Sequence, residues 1–372
     1  MRKDWEYKKL GECTNIEYGT RVVQKKDGGT IYPVYGGGGE TFRIDKYNRE
    51  NCLIIARFAM SKCCVRYVNG RFFLNDSGLS VKASNYFHQD FLNHCMVSLN
   101  DTIYNLGKGA AQRNLDIKAF KQIPIPIPPK PTQLAIVAEL DKINELIQLK
   151  KQQLKDYDQL AQSIFYEMFG DPVENEKGWE VKKLGEICSK IGSGATPKGG
   201  NNSYKDTGIS LIRSLNVHNN LFKYEDLAHI DDSQATALNN VIVKEKDILL
   251  NITGASVARC CIVPNDVLPA RVNQHVCIIR IANESDSFYL NRLFTNDSYQ
   301  SKLLALSKSK AATREALPKT IIESLSVPLP PLPLQQQFAA RIEAIERQKQ
   351  QVSETIKDLE TLLASRMQYW FD

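Results

Sequence analysis

Two passages written twice, in the same order, constrain this chain more than any other feature. Trp5 to Glu12 reads WEYKKLGE, and Trp179 to Glu186 reads WEVKKLGE. Far downstream of each opening comes a proline-rich run that leads into a long periodic segment. These are IPIPIPPKPTQLAIVAELDKI in the first half and LSVPLPPLPLQQQFAARIEAI in the second. With Pro128-Pro129 set against Pro330-Pro331, the register holds without gaps to Phe169 and Phe371. Just upstream, AAQR at Ala110 to Arg113 answers AATR at Ala311 to Arg314. Each half is therefore an opening, a divergent middle, a proline run and a helix. GDPVENEKG, Gly170 to Gly178, reads as a turn-rich connector between them.

The periodic segments are helical by spacing. Ile136, Leu140, Ile143, Ile147, Leu154, Tyr157, Ala161, Ile164 and Met168 follow steps of three and four, interrupted by Lys150. Phe338, Ile342, Ile345, Val352, Ile356, Leu359, Leu363 and Trp370 do the same, interrupted by Lys349 and Arg366. A seam of about five heptads predicts a coiled coil between the two helices. At ~1.5 Å per residue each helix spans roughly 50–55 Å, comparable to about 15 base pairs of axial rise. Lys150 and Lys349 either limit register slippage or snorkel to solvent. The proline runs fix φ and lack amide donors, so they read as stiff, extended connectors, neither helix nor central strand.

The middles read as mostly β. NCLIIARF, CCVRYV, VIVKEKDILLNIT and HVCIIRI are β-branched runs separated by Gly, Asn and Asp, with a short helix expected around Phe288 to Leu304. The predicted fold class is α+β: two mainly-β modules on an antiparallel pair of long helices, with pseudo-two-fold symmetry. The predicted divisions are 1–130, a first helix over 131–170, a connector over 171–178, 179–332, and a second helix over 333–372.

Charge is segregated along this plan. Arg21 to Gln122 carries 15 basic against 8 acidic residues, and Lys190 to Leu325 carries 16 against 13. Pro131 to Gly178 has 5 against 9. The positive charge lies in the two middles, which a polyanion would meet first. The nine cysteines, an odd number without a C-x-x-C, argue against a disulfide framework or a zinc site and are expected to be small buried residues. No signal-like or membrane-spanning apolar run occurs, so a cytoplasmic location is expected. P-loop, nucleophile-elbow, H-E-x-x-H and amino-methyltransferase tetrad patterns are absent, and His88 and His94 read as unrelated.

What remains as chemistry is polar, basic and rich in loops. YGGGGE, Tyr35 to Glu40, places four glycines near Lys25, Lys26 and Arg43. Such a loop, with Tyr35, Gly37 and Gly38, suits a phosphate backbone or a groove edge. Arg57 and Lys62 extend the basic set. In the second half GSGATPKGGNNSYK supplies Thr196, Lys198, Asn201, Tyr204 and Lys205, and IRSLNV supplies Arg213 and Asn216. Arg pairs with guanine and Asn with adenine in the major groove. Lys108, Gln112 and Arg113 stand opposite Lys310, Thr313 and Arg314, with Lys308 a further basic candidate, and residues kept in both halves suit backbone contacts better than base reading. The competing reading is a coiled-coil protein-interaction scaffold, which explains the helices but not the charge in the middles. A self-contained nuclease or methyltransferase lacks motif support.

The openings, the P-L-P-P-x-x-x-Q run before a long helix, and MFGDPVENEKGWE at the midpoint resemble the specificity subunits of type I restriction-modification systems. The resemblance covers essentially the whole chain. It implies that the middles are target recognition domains, each reading one half of a bipartite double-stranded DNA sequence, with the helices as spacer. It implies a subunit without catalytic residues, docked to two modification subunits that methylate adenine N6 with S-adenosylmethionine. Two restriction subunits using ATP and Mg can join them. This chain departs from the family where an acidic residue usually follows the proline run, having PKPTQLA and PLPLQQQ instead, and its recognition domains are compact.

Overall fold

A computed structural model describes residues 4–109, 112–282, 285–308 and 315–371. The chain divides into two compact units, one of residues 1–152 with 353–372 and the other of residues 153–352. The division cuts through both long helices, Lys130–Phe169 and Leu332–Phe371. Each has 40 residues, about 60 Å at ~1.5 Å per residue.

In the first unit the start of the first helix meets the end of the second. Ile136, Val137 and Leu140 are buried in one cluster with Leu363, Met367, Trp370 and Phe371 against them. The Arg366 guanidinium donates to both oxygens of Glu139, and Trp370 Nε1 donates to Glu139 Oε2 at 3.0 Å. Lys151 Nζ reaches Glu360 at 2.8 Å. In the second unit the end of the first helix meets the start of the second, with Ala161 and Phe165 packed beside Phe338 and Ile342. The helices therefore run antiparallel. Lys349, one of the seam's interruptions, reaches Asp158 across the helices at 2.8 Å. It bridges the pair rather than only snorkelling.

The seam departs from the heptad steps at one end. Ile164 and Met168 are only partly buried, while Phe165 and Phe169 are about 2% exposed. The stripe shifts by one residue because this end packs into the core of the second unit, where both phenyl rings meet Tyr289. Core packing there outweighs the helix-on-helix period.

Each proline run forms a strand. Glu6–Lys9 pairs antiparallel with Pro124–Ile127, Tyr7 opposite Pro126 and Lys9 opposite Pro124. Glu180–Lys183 pairs with Ser326–Leu329 in the same way, Val181 opposite Pro328. The extended connectors expected here are hydrogen-bonded into ladders, and neither is a central strand. The ladder is two-stranded, and Pro124, Pro126 and Pro328 fall on one parity, so the missing N–H groups occupy alternate positions. Ile125 and Val327, on the other parity, are fully buried.

The prolines then yield to helix at Pro131 and Pro333, in the first turn, where no amide donor is needed. Two residues on, Gln133 and Gln335 are fully buried and fix each helix start to its module. Gln133 Nε2 donates to the carbonyls of Pro128 and Tyr86, both at 2.9 Å, and Oε1 accepts from His88 N at 2.7 Å. Gln335 Nε2 donates to Pro330 O at 2.7 Å, and Oε1 accepts from Asp286 N at 3.0 Å. His88 and Asp286 are the N-cap residues of the corresponding module helices, Gln89–Ser98 and Ser287–Phe294.

The middles share more than their sequences suggest. The first contains a six-stranded sheet in the order Thr14–Tyr18, Gly78–Ala83, Arg49–Ala56, Val65–Leu74, Tyr32–Tyr35, Glu40–Ile44. The second contains a four-stranded sheet in the order Cys188–Ser193, Val276–Ile281, Ile248–Asn251, Cys260–Ile262. The first four strands of the larger sheet and all four of the smaller have the same sequence of antiparallel pairings. The additions differ: a Tyr32–Ile44 hairpin on one, and a separate three-stranded sheet of Ile209–Ile212, Ala228–Ile230 and Ala270–Val272 on the other. Six of the nine cysteines are buried, while Cys52 and Cys188 are half-buried and Cys63 is exposed, a departure from the expectation of uniform burial.

Candidate nucleic-acid interface

The shared strands end at equivalent turns. In the first unit Arg57 N donates to Ser77 O and Leu115 N donates to Arg57 O, both at 2.8 Å. In the second Ile252 N donates to His275 O at 3.0 Å and Leu317 N donates to Ile252 O at 2.8 Å. Each turn is set by an asparagine whose Oδ1 accepts the amide two residues on, Asn75 for Ser77 at 2.9 Å and Asn273 for His275 at 3.0 Å. One backbone frame thus presents different side chains in the two modules.

In the first unit the frame carries a guanidinium between rings. Arg57 stacks on Tyr18 at 5.0 Å and on Phe58 at 4.6 Å. The glycine loop lies beside it. A Cβ on Gly37 would meet Phe58 O at 2.2 Å, and one on Gly36 would meet Ser77 Oγ at 2.1 Å, so both must be bare. Gly38 and Gly39 face open space. Gly37 N donates to Ser77 Oγ at 3.1 Å, and Arg66 donates to the carbonyls of Gly38 at 2.5 Å and Cys63 at 2.7 Å. Arg66 and Ser77, absent from the sequence-based set, hold the loop. Exposed Lys62 lies on the segment after Arg57, near the paired strands Gly107–Lys108 and Asn114–Leu115. Met60 N donates to Arg113 O at 3.0 Å, and the Arg113 guanidinium stacks on Tyr104 at 4.6 Å. Gln112 is exposed. Lys108 is paired with Asp116 at 2.6 Å, which holds that carboxyl below its usual range.

Lys25 and Lys26 lie on an exposed turn of helix, Gln24–Asp27. Arg43 is exposed on the edge hairpin, paired with Glu40 at 3.1 Å and donating to Ile31 O at 2.9 Å. Tyr35 packs edge-on against buried Phe72 at 5.6 Å.

In the second unit the frame carries a hydrogen-bonded chain at the mouth of a cavity of about 530 Å³. The Thr196 hydroxyl donates to Gln274 Oε1, and the Gln274 amide lies 3.1 Å from His275 Nε2. His275 Nδ1 lies 2.6 Å from Thr253 Oγ1. With the amide donating to Nε2, the ring proton sits on Nδ1 and donates to Thr253, which leaves the Thr253 O–H free to donate to another group. Ser256, Arg259 and Glu315 line the same cavity.

Other members of the second set are engaged elsewhere. Lys198 is exposed, and Asn201 lies in the 3₁₀ turn Gly200–Ser203. Lys205 pairs with Asp231 at 3.4 Å. Tyr204 lies under the Arg213 guanidinium at 5.2 Å, and Arg213 also donates to Asp226 O. Asn216 is a correction: its side chain is fully buried, accepting from Arg213 N at 3.1 Å and donating to Lys223 O at 2.9 Å and Glu225 O at 3.2 Å. It organises a turn and has no edge left for a base. Lys308 is exposed after helix Asp297–Ser307, while Lys310, Thr313 and Arg314 lie outside the described residues.

Among the described residues no group of three or more His, Cys, Asp or Glu side chains is placed to hold a metal, and no helix is long and apolar enough to cross a membrane. Sequence reasoning missed Arg66, Ser77, Thr253, Gln274 and His275. A usable signal existed in LNDSGL and VNQHVC, which place an asparagine turn before the same strand.

Comparison with known proteins bears on the whole chain. The specificity subunit of the type I restriction enzyme MjaIX from Methanocaldococcus jannaschii is 26% identical over 268 residues, 67% of this chain and 60% of that protein. The MjaVIII specificity subunit from the same organism is 23% identical over 280 residues, 69% of this chain and 64% of that one. The chain therefore spans somewhat less than two thirds of the curated relatives it matches. A type I restriction-modification S subunit from M. genitalium superposes with a TM-score of 0.56 at 15% identity, covering 99% of this chain and 96% of that one. A chain from a study of complex assembly and conformational transition in a type I R-M system gives 0.58 at 18%, covering 100% and 98%. Both support the fold. Residues 2–156 and 176–361 match the family described as Type I restriction modification DNA specificity domain, and the chain belongs to that family.

Proposed function

We propose that the chain is the sequence-reading subunit of a type I restriction-modification assembly. Each module reads one half of a bipartite, asymmetric site in double-stranded DNA. The observation that carries this reading is the common turn framework with unlike side chains. Arg57, Phe58 and Ser77 stand where Ile252, Thr253 and His275 stand in the other module. An arginine held between rings presents paired donors suited to guanine O6 and N7. A threonine hydroxyl polarised by a His–Gln–Thr chain presents a donor to a single acceptor such as a purine N7 or thymine O4. Lys62, Gln112 and Arg113 beside Arg57 suit phosphate oxygens.

The helices offer related faces in both halves, and two modification subunits dock on them. Those partners, not this chain, carry the chemistry: adenine N6 methylation from S-adenosylmethionine, with restriction subunits adding ATP- and Mg-dependent cleavage. This chain binds and positions, and is not itself the catalyst.

The test is sequencing, with detection of modified bases, of DNA from cells carrying the chain with its modification subunits. A methylated bipartite motif is expected, and a continuous palindrome would refute the reading. Affinity for DNA containing the motif falls steeply between 50 and 200 mM salt, by about 10³ or more if six or more phosphates are neutralised.

A further inference from the structure

We propose that the first unit carries a docking groove for a cationic polypeptide turn of a partner protein, one that the second unit fills from its own chain. The groove is a cavity of about 670 Å³ between the sheet, helix Gln89–Ser98 and the paired long helices. Its floor is apolar, with Leu53, Val97, Leu363 and Met367. Its rim is acidic, with Asp90, Asp141 and Glu360.

The counterpart site in the second unit shows what such a groove takes. The buried glutamines set the correspondence. Gln133 and Gln335 bind the N-cap amides of His88 and Asp286, so His94 and Val97 correspond to Arg292 and Thr295. The same register matches Leu363, Ala364 and Met367 with Ala161, Gln162 and Phe165. Those five counterparts line a remnant of only about 70 Å³. Two things fill the space. The turn of the hairpin Val217–His218 and Leu221–Phe222 inserts Asn220, whose Oδ1 accepts from Asn291 Nδ2 at 2.7 Å and Thr295 Oγ1 at 3.1 Å. Arg292 supplies a permanent cation, paired with Glu346 at 2.5 Å.

The first unit has no such turn and no guanidinium at the position of Arg292, and its rim carboxylate Glu360 is paired with Lys151 at 2.8 Å. Leu53 and Tyr67 stand on the sheet side where the hairpin would enter, and Val97 in place of Thr295 is left 43% exposed. His94 replaces the arginine and rests 2.7 Å from Asp141. Asp90 adds a carboxylate that the second site lacks, because Phe288 stands opposite it in the register, whereas Glu360 answers Asp158. A groove with an apolar floor, a carboxylate rim and no resident guanidinium fits a turn presenting Arg or Lys beside an aliphatic side chain. The face is unequal in the two halves, so it takes one occupant per chain. It is separate from any docking surface repeated in both.

The test uses the full chain and a fluorescein-labelled peptide, Leu-Arg-Asn-Asn-Leu-Arg, followed by anisotropy. No DNA is present, so the result is independent of the proposed function. Saturable binding is expected. It should weaken at least about tenfold in Asp141→Lys with Glu360→Lys and be blocked by Val97→Trp, which fills the floor. Thermal melting confirms that each variant is folded. If the reversal variant does not fold, Val97→Trp and the peptide with both arginines replaced by glutamate decide the question. The proposal is overturned by an absence of saturable binding, by equal binding of the glutamate peptide, or by undiminished binding to Val97→Trp. Competition by free arginine methyl ester as strong as by the peptide would make this a small-molecule site and overturn the polypeptide assignment.

Discussion

Replacing Gln133 by alanine tests whether the proline run, the module and the long helix are one cooperative structure. The side chain is fully buried and makes three hydrogen bonds to backbone groups from two other segments. Alanine leaves the Pro128 carbonyl unpaired in a buried position, which costs about 1–3 kcal/mol. The His88 amide and Tyr86 carbonyl lie at part-exposed positions and regain some water, so each adds about 0.5–1 kcal/mol. The sum is about 3 kcal/mol, a large share of the ~5–15 kcal/mol that stabilises a typical domain. Glutamate is expected to be worse than alanine, because it turns an acceptor toward the Pro128 and Tyr86 carbonyls. Urea unfolding followed by tryptophan fluorescence separates the halves, since Trp5 and Trp370 report on the first unit and Trp179 on the second. Gln133→Ala shifts the first transition, and Gln335→Ala shifts the second. A loss under about 1 kcal/mol in the first unit, or a glutamate variant as stable as the parent, refutes the assignment of Gln133 as a buried staple.

Other perturbations follow from the modules. Gly37→Ala drives a methyl onto the Phe58 carbonyl and is expected to cost about 1–3 kcal/mol, whereas Gly38→Ala, facing open space, is expected to be nearly neutral; thermal melts compare the two. Arg57→Ala is expected to relax the first half-site and His275→Ala the second, each by about 1–3 kcal/mol per base contact, read as degeneracy confined to one side of the methylated motif. The Glu139 carboxyl is held below its usual range, first by the Arg366 hydrogen bond and then by that from Trp370. Its folded pKa is depressed, so its contribution is present at neutral pH and lost as pH falls through that lowered value. Glu139→Gln is expected to flatten the acid limb of a stability–pH curve, and an unchanged limb would contradict the pairing.

The frame was legible because it rests on period and repetition. Steps of three and four in Ile136 to Met168 identify a helix whatever else is present, and a second copy tells helix from chance. The shift to Phe165 and Phe169 was not legible, because it depends on Tyr289, distant in sequence. The pairing of the proline runs was not foreseen for a simple reason. A missing amide forbids a ladder only where that amide would point at the partner, and spacing of two avoids this. The kinship of the middles was hidden because it resides in backbone pairing. Arg57–Ser77 and Ile252–His275 make the same bond with unrelated side chains. Asn216 shows the limit of reading chemistry from residue type: the amide edge that suits adenine equally suits three backbone groups of a turn.

The two tryptophans that open the halves have unequal connections and similar neighbours. Trp179 Nε1 donates to the Phe169 carbonyl at 2.9 Å, at the end of a long helix that its own connector joins to it. Trp5 stacks on Trp370, with ring centroids 6.4 Å apart, at the end of the other long helix, and no peptide joins them. Within the second unit the polypeptide makes this joint, and within the first unit packing makes it. A circular permutation, opening the chain within Gly170–Gly178 and tying Phe371 to Trp5 with a copy of those residues, would exchange the two joints and keep every pairing. By the same logic a single half, copied and joined head to tail, already contains the frame. Its doubling in one gene would free the second copy's module to drift, which is the pattern the two unlike middles present.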